Sequence, residues 1–378
     1  MLRLISLAAL IIAALFACGE EVPETGLPET NNPEFTAPVL NNTPIEVRVL
    51  LPSYRLRDTP NTAGNTLDML DRGTLLTYAG EATPNAEAIT LRSVRYNEPW
   101  VKVRTATGTE GWVYGGGVAP TTFGDSQIAR NFFEARLRGL FGKSIAQRIL
   151  NYREAYENAT TEDAVAAVYK DGKALVEGPI NTYLVNQLDY ETLLQNDFRR
   201  PPALGWLETV LPGFTLGRVA EGTLYQLLED DRQWLAKAQT TPGTADNGYF
   251  RLQAALYPVD SIAYGFPAYF MQTWDYGGHS NLGSGLHLQL LRDMDVAYSK
   301  GPAFQAAILE SKAALLEDAL TYESYWQSAE DIRAELKRIL NAELDILTDA
   351  DKIALEARLA QLADPTAAGI EVNKRAGE

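Results

Sequence analysis

The spacing of apolar residues changes once along this chain, near Pro120. Before that point, the segment IEVRVLLP beginning at Ile45 alternates apolar and charged residues, which is the two-residue period of a half-buried β-strand. After it, apolar residues recur three and four positions apart, as on one buried face of an α-helix. The pattern predicts a multidomain chain with a small all-β barrel over residues 45–119 and a large all-α domain over residues 121–364.

Short strands joined by glycine turns continue through the β-rich part. Gly108 lies in a turn between WVKVR and EGWVY, so these two strands are expected to pair. The motifs LRDTP, GT, WVKV and GTEGWV follow one another over residues 56–113, and this order resembles the bacterial SH3 (SH3b) family. Two features depart from that family: DTP follows Arg57 where Ser-Gly-Pro is usual, and the segment over residues 81–96 is longer than the usual hairpin.

The resemblance implies an SH3-like barrel that binds cell-wall peptides, glycans or envelope proteins without catalysis. A groove of this kind would combine aromatic side chains, which stack on a peptide or sugar face, with charged side chains. The candidate ligand-binding residues are Tyr54, Arg57, Asp58, Trp100, Trp112 and Tyr114. Strand alternation favours another interpretation of the two tryptophans, in which both point into the core of the barrel.

The first seventeen residues predict an export signal. They contain one early arginine and an apolar run shorter than the roughly 20 residues of a membrane-spanning helix. Cys18 completes the sequence LFAC, which resembles the lipobox of bacterial lipoproteins and implies cleavage before Cys18 and lipid attachment to its sulfur. A plain secretory signal followed by an unmodified cysteine is the alternative.

Residues 18–44 are rich in Pro, Glu, Thr and Asn, and this composition predicts a flexible tether between the lipid and the first strand. The expected location is therefore the bacterial cell envelope, at the outer membrane on its periplasmic face or at the cell surface. The 33 basic and 49 acidic residues give a net charge of −16, which repels phosphate backbones, so no nucleic-acid partner is expected.

The helical part ends in a predicted tail over residues 365–378 and shows no strand-like run. Ser328 and Thr348 each precede acidic residues in the pattern of a helix N-cap.

Aromatic residues are concentrated over residues 249–276, and this cluster has two interpretations. The side chains could line a pocket for a sugar or peptide, or form the centre of a helical core, which is the interpretation we favour.

Both histidines of the chain lie within residues 276–287, YGGHSNLGSGLH. Ser284 is expected to cap the helix that follows, which puts His287 in the first turn of a buried helix face. We therefore expect a neutral, internally hydrogen-bonded His287, and a loop hydrogen bond between His279 and Asp275. The backbone N–H groups at this helix start could also hold a carboxylate or a phosphate.

A pocket is the alternative interpretation of the same region. Its candidate residues are Tyr269, Trp274, Asp275, His279, Ser284 and His287. The chain has no HExxH for zinc, no GxSxG around a serine, and no cysteine besides Cys18. We therefore assign no catalytic residue and expect neither a metal nor another cofactor.

These features predict a non-catalytic, membrane-anchored envelope lipoprotein. Its SH3b-like module and helical domain would bind cell-wall peptide or glycan, or a protein of the envelope. The alternative is a cell-envelope hydrolase that cleaves peptidoglycan or another glycan, with its active site within residues 249–295.

Overall fold

The computed structural model describes most of the chain beyond the predicted tether. The described residues are 45–123, 126–188, 190, 202–219, 224–258, 266–272 and 278–374. They group into two compact units, which we name the barrel unit (described residues of 45–159 and 167–233) and the C-terminal unit (those of 160–166 and 234–374). Cys18, the export signal and the tether lie outside the described residues. The domain boundaries predicted from the sequence stay predictions.

Short antiparallel strands form the β-rich part of the barrel unit. Their bounds are β1 Glu46–Val49, β2 Tyr54–Arg57, β3 Thr66–Leu70, β4 Leu75–Ala82, β5 Glu87–Leu91, β6 Val94–Glu98, β7 Trp100–Arg104, β8 Glu110–Tyr114 and β9 Val118–Pro120. One sheet has the order β3-β2-β8-β7-β4-β1-β9, and β5 pairs with β6 in a separate hairpin. The N-terminal antiparallel β domain predicted from the sequence is thereby confirmed.

The register of β7 and β8 decides which side chains fill the barrel. Val101 pairs with Val113, and both belong to the buried core. Lys102 pairs with Trp112 on the opposite face, where Trp112 is half-buried. The interpretation of Trp112 as a core residue is therefore wrong, because side chains alternate between the two faces of a strand and Trp112 shares its face with Lys102.

The described residues beyond Pro120 are mainly helical, which confirms the predicted class of this region. The helices are α1 Gln127–Asn158, α2 Glu162–Leu175, α3 Asn181–Gln187, α4 Leu207–Val210, α5 Asp231–Ala238, α6 Ala245–Leu256, α7 Leu286–Tyr298, α8 Gln305–Thr321, α9 Ala329–Leu340 and α10 Asp349–Gln361. Ser328 caps α9, and Thr348 forms a reciprocal capping box with Asp351 at α10, as predicted. None of the described helices combines the length and apolar character that a membrane crossing needs.

Two short antiparallel pairs interrupt the helices. β10 (Phe214–Val219) pairs with β11 (Leu224–Glu229), and β12 (Phe270–Gln272) pairs with β13 (Gly278–Ser280). The expectation that this part contains no strands is therefore wrong. Three consecutive buried residues in β11 resemble a segment of buried helix, and three-residue strands are too short to show a period.

The aromatic cluster over residues 249–276 belongs in part to the core of the C-terminal unit. In α6, Tyr249 stacks on Phe304 with ring centroids 4.5 Å apart, and Phe250 stacks on Trp234 at 5.4 Å. Tyr269 is buried as well. These three side chains fit the favoured core interpretation, whereas Tyr264, Trp274 and Tyr276 lie outside the described residues.

A buried ion pair joins the β domain to the first helix within the barrel unit. Arg136 of α1 donates from Nε to Oε1 of Glu98 at 2.6 Å and from Nη2 to Oε2 at 2.8 Å. The same Nη2 donates to the carbonyl oxygens of Gly115 (2.8 Å) and Val118 (2.9 Å). The Arg136 side chain is 1% exposed, so this charge is held entirely by protein groups.

Aromatic rings surround this guanidinium. Its carbon lies 5.3, 4.8 and 5.2 Å from the ring centroids of Tyr96, Phe132 and Trp206 respectively. The Trp206 indole donates to the Tyr96 hydroxyl at 2.9 Å, and that hydroxyl donates to the Ala203 carbonyl. The β5–β6 hairpin, α1 and the segment before α4 thus share one buried polar and aromatic layer, which we name the Arg136 layer.

Replacing Arg136 tests how much this layer stabilises the barrel unit. Arg136→Met leaves the Glu98 carboxylate buried without its counter-charge, so we expect a loss of about 3–5 kcal/mol in the free energy of unfolding, measured by urea denaturation. The matched control is Arg104→Met, which breaks the exposed pair of Arg104 and Glu110 in the same barrel and should cost about 0–1 kcal/mol. Equal losses in the two variants would contradict a structural role for the Arg136 layer.

Candidate functional site

Three of the predicted ligand-binding aromatics are engaged inside the barrel unit. The Tyr54 hydroxyl donates to the Tyr114 carbonyl at 2.7 Å, and the Tyr114 hydroxyl donates to the Glu87 carbonyl at 2.6 Å. The Trp100 indole donates to a Glu87 carboxylate oxygen at 2.6 Å. Trp100 shares the outer face of β7 with Lys102, yet it is only 4% exposed because the β5–β6 hairpin, which carries Glu87, packs over it.

Burial also shapes the chemistry of the two phenols. It raises the pKa of Tyr54 and of Tyr114 well above the usual value of a tyrosine, so both stay protonated donors over the physiological range. A side chain at Gly117 would overlap the Tyr54 ring, since an added Cβ would lie 2.0 Å from Cζ. Close backbone approach therefore holds Tyr54 in place, and these side chains support the fold of the barrel.

The two charged residues among the predicted ligand-binding set, Arg57 and Asp58, each hold the loop between β2 and β3. Arg57 is buried and donates from Nη1 to the Gly64 carbonyl at 2.6 Å. Asp58 is exposed and accepts from the backbone N–H of Asn65 at 2.8 Å and from its side-chain amide at 2.7 Å. The hydrogen bond from the Asn65 side chain lowers the pKa of Asp58, so its carboxylate stays charged. Both residues orient the loop through contacts within the chain.

Trp112 is the predicted aromatic that keeps accessible surface on the outer face of the sheet. The Lys102 ammonium lies 6.0 Å from the centroid of its ring. Strand β2 continues the same face, because Arg57 pairs with Trp112 and Arg55 pairs with Met69. Met69 is 50% exposed. We name Arg55, Met69, Lys102 and Trp112 the outer patch, which combines apolar surface with the Arg55 guanidinium and with a Lys102 ammonium that pairs with Glu81 at 2.8 Å.

The C-terminal unit places His287 in a buried hydrogen-bond network. As predicted, His287 lies in the first turn of α7 and is fully buried. Its Nε2 lies 2.9 Å from Oδ2 of Asp318, and the Ser280 hydroxyl donates to the same oxygen at 2.5 Å. The shared carboxylate stands between the hydroxyl and the imidazole. His287 is therefore not placed to take a proton from Ser280, and the network orients the helix start.

The start of α7 binds a carboxylate that comes from the chain itself. Glu335 is fully buried, and its Oε2 accepts from the N–H groups of Gly283 (2.6 Å) and Gly285 (2.8 Å). Its Oε1 accepts from the N–H of Leu288 at 3.0 Å. The expected anion position is thus filled by an internal side chain, which neutralises the positive end of the helix. The residue preceding the helix is Gly285, one position after the predicted cap, and the Ser284 hydroxyl accepts from the first helical N–H, that of Leu286, at 3.3 Å.

His279 has a different environment from His287. It is half-buried in β13, where its Nδ1 lies 2.7 Å from the Ser324 hydroxyl and its ring stacks on Trp326 at 6.0 Å. The predicted hydrogen bond from His279 to Asp275 falls outside the described residues, as do Trp274 and Asp275 themselves. Of the predicted pocket residues, the structure brings together Tyr269 and His287, whose ring centroids lie 5.6 Å apart.

Sequence reasoning missed several charged residues of these networks. Arg136, Asp318 and Glu335 resemble ordinary charges on solvated helix faces. A signal was nevertheless present, because each falls on the apolar stripe of its helix: Glu335, for example, lies three positions after Ile332 and four before Ile339. Among the described residues, no group of three or more His, Cys, Asp or Glu side chains could hold a metal ion.

Comparison with known protein families agrees with the SH3-like fold of the β-rich part. Residues 52–119 match the family model described as the bacterial SH3 domain, which confirms the family predicted for this part of the chain. Searches of curated proteins and of solved structures find no match to the chain. The bacterial SH3 domain is a cell-wall binding module, and at this coarse level the match supports a binding role.

Proposed function

We propose that this chain is a membrane-anchored lipoprotein of the bacterial cell envelope that binds cell-wall material or an envelope protein through its SH3 domain. The observation that carries the proposal is the bacterial SH3 domain over residues 52–119, a module whose role is binding. The LFAC motif at Cys18 supports the lipid anchor, and the Pro- and Glu-rich segment behind it supports a tether that gives the folded parts reach.

The outer patch is the part of the barrel that best suits a ligand. Trp112 offers a partly exposed indole, and Met69 offers flexible apolar surface. The exposed Arg55 adds positive charge to a chain whose net charge is −16, whereas Lys102 is paired with Glu81 at 2.8 Å, so an acidic group on the ligand would be attracted to Arg55. Peptidoglycan carries both sugar faces and peptide carboxylates, and it is the partner that we propose first.

A cell-envelope hydrolase is the alternative, and one contact favours it. The Ser324 hydroxyl and the His279 imidazole lie 2.7 Å apart in a half-buried position, which is the distance at which a histidine can accept a proton from a serine nucleophile. The buried network of Ser280, Asp318 and His287 does not offer this arrangement. A hydrolase would therefore depend on the pair of Ser324 and His279.

Loss of the lipidated thiol tests the anchor. In cells that express Cys18→Ala, we expect the protein to leave the membrane fraction and to lose labelling by a radioactive fatty acid, because no sulfur remains to carry the acyl chains. Ser6→Ala lies within the same predicted export signal and should change neither result. Retention of Cys18→Ala in the membrane fraction would refute the lipid anchor.

Removal of the indole tests the binding surface. We expect the protein to co-sediment with purified peptidoglycan, and Trp112→Ala to bind about tenfold more weakly, because a tryptophan commonly contributes more than its neighbours to a binding surface. Ile353→Ala removes a more exposed apolar side chain from α10, where it is 67% exposed, and should bind like the wild type.

The same assay separates the proposed function from the alternative. Soluble fragments released by the wild type and not by His279→Ala would establish the hydrolase. If the wild type neither co-sediments with peptidoglycan nor captures an envelope protein in a Trp112-dependent manner, the binding proposal fails.

A further inference from the structure

A cavity of about 440 Å³ lies within the barrel unit, away from the residues predicted to bind a ligand. Its walls come from β1 and the loop that follows it, from the turn between β3 and β4, from the turn between β5 and β6, and from the segment around α4. The volume falls in the usual range of small-molecule sites, which is about 300–1,000 Å³.

Positive charge dominates the lining of this cavity. Arg48 comes from β1, Arg72 from the β3–β4 turn and Arg92 from the β5–β6 turn, whereas Glu208 is the one carboxylate among the lining residues of the described chain. Three cations therefore converge on a single cavity in a protein whose net charge is −16. Such an arrangement raises the local concentration of anions and excludes cations.

The contacts of these charged groups leave two of the cations available to a ligand. Arg48 and Arg72 are exposed and form no ion pair with carboxylates of the described residues. The Oε1 atom of Glu208 accepts from the Thr215 hydroxyl at 2.8 Å and from the Leu216 N–H at 3.0 Å. Glu208 is thus held by hydrogen bonds to β10, and it forms no ion pair with either of the two exposed guanidinium groups.

The backbone at Arg92 provides a second, independent observation. Arg92 and Ser93 have φ values of 41° and 67°, so two consecutive residues other than glycine occupy the left-handed region. A two-residue hairpin turn of this kind is usually made by Asn-Gly or a similar pair. Residues held in such conformations concentrate at ligand sites, and this turn belongs to the segment that is longer than the usual hairpin of the SH3b family.

We propose that this arginine-lined cavity binds a small organic anion, in which a carboxylate or phosphate group is carried on an apolar body. Guanidinium groups present planar pairs of N–H donors that match the oxygens of both anions. Leu50, Pro52 and Leu216 supply accessible apolar surface to the wall. The site differs from the outer patch in its residues, so its occupant is recognised separately from the ligand of the proposed function.

The experiment titrates the full chain with three probes of one shape and measures binding by ligand-observed NMR. Phenylacetate and phenyl phosphate carry the two anionic groups, and phenylacetamide is the uncharged control. Binding of either anion and not of the amide supports the proposal, and the tighter anion identifies the carboxylate or the phosphate as the natural group. Binding of neither anion, or equal binding of the amide, overturns it.

Variants then locate the bound anion. Arg48→Gln and Arg72→Gln should each weaken binding about tenfold, since each removes charge-assisted hydrogen bonds. Arg95→Gln is the matched control, because it removes an exposed arginine from β6 of the same hairpin without touching the cavity. Far-UV circular dichroism checks that all three variants keep the fold. If the two cavity variants bind like Arg95→Gln, the anion binds elsewhere and the proposal fails.

Discussion

The buried pair of Arg136 and Glu98 is the interaction on which the barrel unit depends. A charge taken out of water is tolerated only when ion pairing and hydrogen bonds replace its hydration, and here two carboxylate oxygens and two backbone carbonyls do so for the Nε and Nη2 atoms of Arg136. The carbonyls belong to Gly115, which follows β8, and to Val118, which begins β9. The first helix therefore completes the β domain, and its side chains belong to the interior of the same unit.

This constraint also decides which side chains remain for a ligand. The long β5–β6 hairpin carries Tyr96 and Glu98 into the Arg136 layer and covers Trp100 with Glu87. Aromatic side chains that would suit a ligand groove, such as Trp100 and Tyr96, are therefore buried. Accessible aromatic surface remains on this sheet at Trp112 in the outer patch. The same hairpin ends in the strained turn that directs Arg92 toward the arginine-lined cavity. The β5–β6 hairpin thus takes part both in the Arg136 layer and in the lining of the arginine-lined cavity.

Much of the architecture follows from local patterns in the sequence. The two-residue period predicts the strands, the helical period predicts the helices beyond Pro120, and the caps at Ser328 and Thr348 are readable because each involves neighbours within one turn. The site is harder to predict. Trp100 and Trp112 share one face of the sheet, and they differ because the preceding β5–β6 hairpin folds over the first, a contact that strand alternation does not encode.

Native-state hydrogen exchange tests most directly whether the β domain and the first helix form one cooperative structure. The account predicts that the amides of Val103 in β7, Val113 in β8 and Leu137 in α1 exchange with the same free energy of opening, because none can open without exposing the Arg136 layer. Exchange at Leu137 with a much lower free energy, while the two strand amides stay protected, would contradict it.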